Sequence, residues 1–129
     1  MNAKNLFIFS GIVSLIYGVL LLLFPIPLYE MASPLEVTDS ELFTIAGQGY
    51  GAIVLALGIA LLTSAKASKS YGRRGFLLTI AVADTITAVI IAKALFDGLY
   101  TNLAMVTLAL VVLQAAWAGL LLPKEWKVD

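Results

Sequence analysis

Four apolar runs, each about twenty residues long, constrain this chain more than any other feature of its sequence. They extend from Leu6 to Phe24, Leu42 to Ala65, Gly75 to Phe96 and Leu103 to Leu122. A transmembrane helix needs about 20 apolar residues to cross a hydrocarbon core of about 30 Å. The runs are continuously apolar and about twice as long as a barrel strand, which argues against a membrane β-barrel. Composition agrees: 61% of the 129 residues are hydrophobic and 12% are charged, where a soluble domain has roughly 45–50% and about 25%. A chain this short has too small an interior to hide so much apolar surface from water. The expected fold is an all-α integral membrane protein. Four transmembrane helices, near 6–24, 39–65, 75–96 and 102–122, form one up-and-down bundle over residues 1–129.

Polar punctuation separates the spans. Pro25, Pro27, Pro34 and Pro123 all fall outside the expected helices, as residues that cannot continue a helix without losing backbone hydrogen bonds. Thr38-Asp39-Ser40-Glu41 fits a capping box, with the Thr38 hydroxyl accepting from the Glu41 N–H at the start of the second span. Asp97-Gly98 reads as a helix stop. Short connections predict tight antiparallel hairpins between spans two and three, across 66–74, and between spans three and four.

Charge placement predicts orientation. Lys4, Lys66, Lys69, Arg73, Arg74, Lys124 and Lys127 all fall on one side of such a bundle, with Lys93 towards the other. By the positive-inside rule both termini face the cytoplasm of a prokaryotic cell, and the bundle sits in its plasma membrane. The connection 25–38 is then the extracytoplasmic loop; around it lie Glu30, Glu36, Asp39 and Glu41 and no basic residue. The first run follows a lysine as a signal peptide does, but its apolar part exceeds the usual ~7–15 residues, so it is read as a retained helix.

Formal net charge is zero, so no overall field favours nucleic acid. The chain has neither Cys nor His, which removes disulfides, thiolate and imidazole metal ligands, thiol nucleophiles and imidazole bases. Ser10 and Ser14 have no base within one helical turn. No metal, cofactor or catalytic residue is expected, and no enzymatic activity.

One residue interrupts the apolar pattern. Asp84 lies nine residues into the third span, roughly 14 Å deep, where an ionisable group costs on the order of 2.5–3.5 kcal/mol and turns towards the bundle interior. Ala81, Thr87 and Ala88 share its face and allow close approach of another helix. Lys93 lies half a rotation away and cannot neutralise it. Ser14, Tyr17, Gln48, Tyr50 and Gln114 are donors at a comparable depth. The candidate intramembrane polar site is Asp84, Gln114 and Tyr17, with Gln48 nearby. Asp84 is read either as helix-joining glue or as a functional group.

Small residues form a second pattern. Gly47 and Gly51 make a GxxxG pair and Gly58 falls close to the same face; Gly11 and Gly18 in the first span and Gly119 in the fourth offer matching surfaces. Such residues are how membrane helices approach one another, so these six are expected packing positions. Gly49-Tyr50-Gly51 has the letters of a potassium-channel filter, but it runs straight into a spanning helix without a pore helix, so no filter is expected.

Chain length, four spans, a long first external loop and a Gly-rich opening to the second span that runs into LALGIALL, residues 55–62, together resemble small bacterial and archaeal DoxX-like membrane proteins. The resemblance implies a membrane subunit or accessory protein of a redox system and carries over no residue role. An acidic residue often present early in the second helix of that set has Gln48 in its neighbourhood here. The expected function is that of a non-catalytic subunit of a membrane complex, in contact with the bilayer and with copies of itself or a partner membrane protein. The alternatives are a small oligomeric transporter or permeation protein that uses Asp84, or a protein that binds a quinone or lipid.

Overall fold

The computed structural model describes residues 2–127, so the first residue and the last two of the expected domain lie outside the described residues. Five helices follow in order: α1 (Ala3–Leu23), α2 (Pro25–Ala32), α3 (Ser40–Ser64), α4 (Tyr71–Phe96) and α5 (Ala104–Trp126). All but α2 are long and apolar enough to cross a membrane, which makes this a multi-pass membrane protein with an all-α bundle fold.

Local chemistry explains each boundary. The side chains of Asn2, Asp39 and Ser70 accept from the backbone N–H three residues on, at 2.9, 2.9 and 3.2 Å, and so cap α1, α3 and α4. The capping box expected from Thr38 is therefore corrected. Asp39 is the cap, bonded to Leu42 N, and a carboxylate there also complements the positive end of the helix dipole. α4 stops where expected, at Gly98, whose φ of 71° suits a residue without a Cβ.

Two proline expectations also need correction. Pro25 and Pro27 do not merely end the first span; they open α2, since the first turn of a helix has N–H groups without intrahelical acceptors and loses little to proline. Pro123 lies inside α5, which continues to Trp126. Proline there forfeits one bond, to the carbonyl of Gly119, in the final turns of the helix.

The closest pairing is between α1 and α3, which run antiparallel. Gly11 and Gly18 of α1 face Gly58 and Gly51 of α3, each pair spaced by seven residues. A Cβ on Gly58 would sit 2.9 Å from the Gly11 carbonyl oxygen, and one on Gly18 would sit 2.7 Å from the backbone nitrogen of Leu55. Here backbone meets backbone, the device by which helices associate in lipid, where hydrophobic driving force between them is absent. Gly47 similarly admits the ring of Pro25. Gly119 differs from the other five: it is exposed and a Cβ on it would meet nothing within 4 Å, because Ala118 is the α5 residue that turns inward.

α4 packs on α5, and α5 touches α1, giving the lateral order α3, α1, α5, α4. The hairpin expected between the second and third spans is not a packed pair. α3 and α4, although linked by a short connection, do not pack along their lengths, because α3 is committed to the glycine face of α1. All four spans meet at the basic end, where Ala3, Leu6, Leu61, Leu77, Ala118 and Leu121 are among the residues of one buried cluster. At the same end Arg73 of α4 pairs with Glu125 of α5 at 3.1 Å, both nearly buried. At the other end the Thr101 N–H and hydroxyl donate to the carbonyls of Ala32 and Met31, filling acceptors left open at the end of α2.

Outward faces carry large apolar side chains such as Ile53, Val82, Ile86, Val89 and Leu120. Outward threonines satisfy themselves: the hydroxyls of Thr63, Thr79 and Thr85 donate to carbonyls one turn back, so these three hydrogens are not stranded in lipid.

Two stability predictions follow from these contacts. Gly18→Ala drives a methyl group into the α3 backbone and is expected to cost about 1–3 kcal/mol in detergent unfolding followed by circular dichroism, whereas Gly119→Ala costs nothing. Equal losses in both would refute the close α1–α3 approach. Glu125→Ala strands the Arg73 guanidinium and is expected to cost about 3 kcal/mol, most of it recovered when Arg73→Met is added; a double variant as unstable as the single would show that the pair is not the source.

Candidate functional site

Two side-chain contacts act as rulers for the interior. Arg73–Glu125 sets the register of α4 against α5, and a 2.6 Å hydrogen bond between the hydroxyls of Tyr17 and Thr107 sets that of α1 against α5. Asp84 is eleven residues on from Arg73, and Gln114 is eleven residues before Glu125. Eleven residues are almost exactly three turns of an α-helix, so Asp84 and Gln114 share both a level and a face, about 16 Å from the ion pair. Ser10 is seven residues before Tyr17 and Gln114 seven after Thr107, one heptad in each helix. By this count Ser10, Gln114 and Asp84, on three different helices, fall near one level of the bundle; the ring contact between α1 and α4, Phe7 with Phe76 at 6.1 Å between centroids, sets Ser10 somewhat nearer the basic end than Asp84.

The residues that flank this level towards the basic end are apolar and buried. One step towards the basic end, Leu6, Ala118 and Ile80 belong to a single buried cluster; one step further, Ala3, Leu121 and Leu77 do. The rings of Phe9 and Trp117, 6.1 Å apart between centroids, lie on the same α1–α5 seam. On the far side of the polar layer come Thr87 with Val111, then Tyr17 with Thr107.

Within the layer hydrogen bonding is incomplete. Ser10 is 1% exposed and its hydroxyl has no partner. Gln114 is 5% exposed; its amide nitrogen donates to the Leu110 carbonyl of its own helix at 3.3 Å, which leaves its amide oxygen free. Asp84 is half-buried and, among the described residues, makes neither a hydrogen bond nor an ion pair. The indole N–H of Trp117, one turn towards the basic end, is also buried without a partner.

The other sequence candidates go elsewhere. The Tyr17 hydroxyl is used by Thr107, a heptad away from Asp84, rather than in one cluster with it. Gln48 is exposed and donates to the carbonyl of Leu22 at 3.2 Å, an acceptor left open in the last turn of α1. That contact is twelve residues beyond Ser10 along α1, about 18 Å from the polar layer. Lys93 pairs with Asp97 on the outside of α4. Ser10 is the residue that sequence reasoning assigned no part here. Its seven-residue spacing from Tyr17 was the available signal, but it has meaning only once the Thr107 contact is known.

Chemically the layer offers acceptors: a carboxyl group, an amide oxygen and a hydroxyl. Oxygen ligands of this kind suit a proton, a water molecule or a hard cation, not a soft metal. Among the described residues no three His, Cys, Asp or Glu side chains gather into a metal-binding group. A cleft of about 340 Å³ lies between α2 and the start of α3, lined by Tyr29, Asp39 and Phe43, remote from the layer.

No protein-family model, no curated protein and no solved structure matches this chain.

The register is directly testable because the chain has no native cysteine. Cysteines replacing Ser10 and Gln114, or Asp84 and Gln114, are expected to be joined by a short bifunctional thiol reagent in membranes. A pair replacing Gln48 and Asp84 is expected to stay unlinked. Cross-linking confined to the last pair would overturn the layer.

Proposed function

We propose that this protein is a non-catalytic subunit or accessory protein of a prokaryotic plasma-membrane complex, oriented with both termini in the cytoplasm. It works by presenting helix faces to another membrane protein or to copies of itself. The observation that carries this reading is the outward surface of α5, where Ala109, Ala116 and Gly119 lie exposed along one side. Inside the molecule, small residues are what let α1 and α3 touch through their backbones. The same device turned outward, with nothing within 4 Å of a Cβ on Gly119, suits a helix from outside the chain. The seven basic residues gathered at one end support the orientation, and the resemblance to DoxX-like proteins supports an accessory role.

A second reading, a small oligomeric transporter or permeation protein, draws support from the half-buried and unpaired Asp84. Four short helices enclose little space, so that reading also requires association between chains.

Purification from the native membrane in mild detergent, followed by intact mass measurement, tests the proposal. A stoichiometric companion, foreign or identical, is expected with the wild-type chain and is expected to be lost in Gly119→Leu while helical content is unchanged. A monomer without companions, in both the wild type and the variant, would overturn the subunit reading.

A further inference from the structure

We infer that Ser10, Gln114 and Asp84 form an oxygen-lined site for a small monovalent cation, a proton or a sodium ion, reached from the α2 end of the bundle. The inference concerns binding, and stands whether the chain serves as a subunit or moves the ion.

The first argument is the balance of donors and acceptors. Two members of the layer are at least nine-tenths buried, and across the three helices the free groups are the Asp84 carboxyl, the Gln114 amide oxygen and the Ser10 hydroxyl. The unpartnered donors beside them, the Ser10 hydroxyl, the second amide N–H of Gln114 and the Trp117 indole N–H, are all neutral. The cations that might neutralise Asp84 are engaged elsewhere: Arg73 with Glu125 and Lys93 with Asp97. A half-buried carboxylate whose surroundings offer only neutral donors has its charge balanced by a proton or a cation, whereas an anion would meet like charge.

The second argument is the asymmetry of the surroundings. Towards the basic end the layer is sealed by Leu6, Phe7, Ile80 and Ala118, all 4% exposed or less. Towards the α2 end the next side chains include the hydroxyls of Ser14, Thr87, Tyr17 and Thr107, all partly buried. The α2 end of the bundle carries five carboxylates, Glu30, Glu36, Asp39, Glu41 and Asp97, against the single ammonium of Lys93. Such a field concentrates cations and repels anions.

Other titratable groups stand apart from Asp84. Tyr17 of α1 is bonded to Thr107, Tyr50 of α3 faces outward, and the Arg73–Glu125 pair of α4 and α5 is eleven residues away. A dependence on pH or sodium in this region therefore reports on Asp84.

The test uses the purified full chain in lipid nanodiscs. A ligand that binds only the folded state raises its stability by mass action, so unfolding midpoints are measured against sodium chloride at ionic strength held constant with choline chloride, and separately against pH. A proton as occupant makes stability follow pH and ignore sodium; a sodium ion makes it follow sodium. The sodium dependence is expected to vanish in Asp84→Asn, and the pH dependence to lose there the part that Glu125 and Asp39 do not supply; in Gln114→Leu and Ser10→Ala the midpoint is expected to shift at least tenfold. A wild type indifferent to sodium whose pH profile coincides with that of Asp84→Asn, or a sodium dependence that survives in Asp84→Asn, overturns the site. Should Asp84→Asn fail to fold, the two milder variants decide, and unshifted midpoints in both also overturn it. For the route, a hydrophilic thiol reagent is expected to label cysteines replacing Ser14 and Thr87 and to spare one replacing Ile80; the reverse pattern would refute entry from the α2 end.

Discussion

The pairing of Arg73 with Glu125 is the contact on which the arrangement of the interior depends. An ion pair so nearly buried gains from its geometry only if both partners stay in place, so α4 and α5 cannot slide by a turn without stranding two charges. From that pin the helical repeat brings Leu77 to Leu121, Ile80 to Ala118 and Asp84 to Gln114. Because α5 also faces α1, the same register carries Ser10 into line. A charged pair at the end of the bundle thus decides which polar groups meet in its middle.

The two halves of the molecule hold together by different physics. α1 and α3 approach through glycine, so the contact is between backbones and has little freedom to repack. α4 and α5 keep side chains between them, including a carboxyl group and an amide. The rigid half supplies Ser10 and the more adaptable half supplies Asp84 and Gln114, so the polar layer lies where the two kinds of packing join.

The spans were legible because a continuous apolar run of that length has few other solutions in water or lipid. The depth of Asp84 and Gln114 was legible by counting residues. What escaped depended on neighbours. Pro25 looked like an end and proved to be a beginning, since proline serves both roles and only the following residues choose between them. Gly119 looked like an inner contact, yet a rotation of one residue put Ala118 inside instead. The pairing of α3 with α1 rather than α4 followed from glycine faces whose partner no spacing within one helix reveals.

That pairing also bears on how the chain is made. α1 and α3 precede the other spans in the chain, and they complete each other's small-residue faces without help from α4 or α5. The remaining two spans likewise pair as neighbours in sequence. Assembly in the bilayer therefore reduces to two successive hairpins, the first closed through α2 and the second through a short loop, with the meeting at the basic end left for last. A ribosome that has released only the first half of this chain has already given the membrane both glycine faces of that contact, while Leu6 and Phe7 still await α4 and α5.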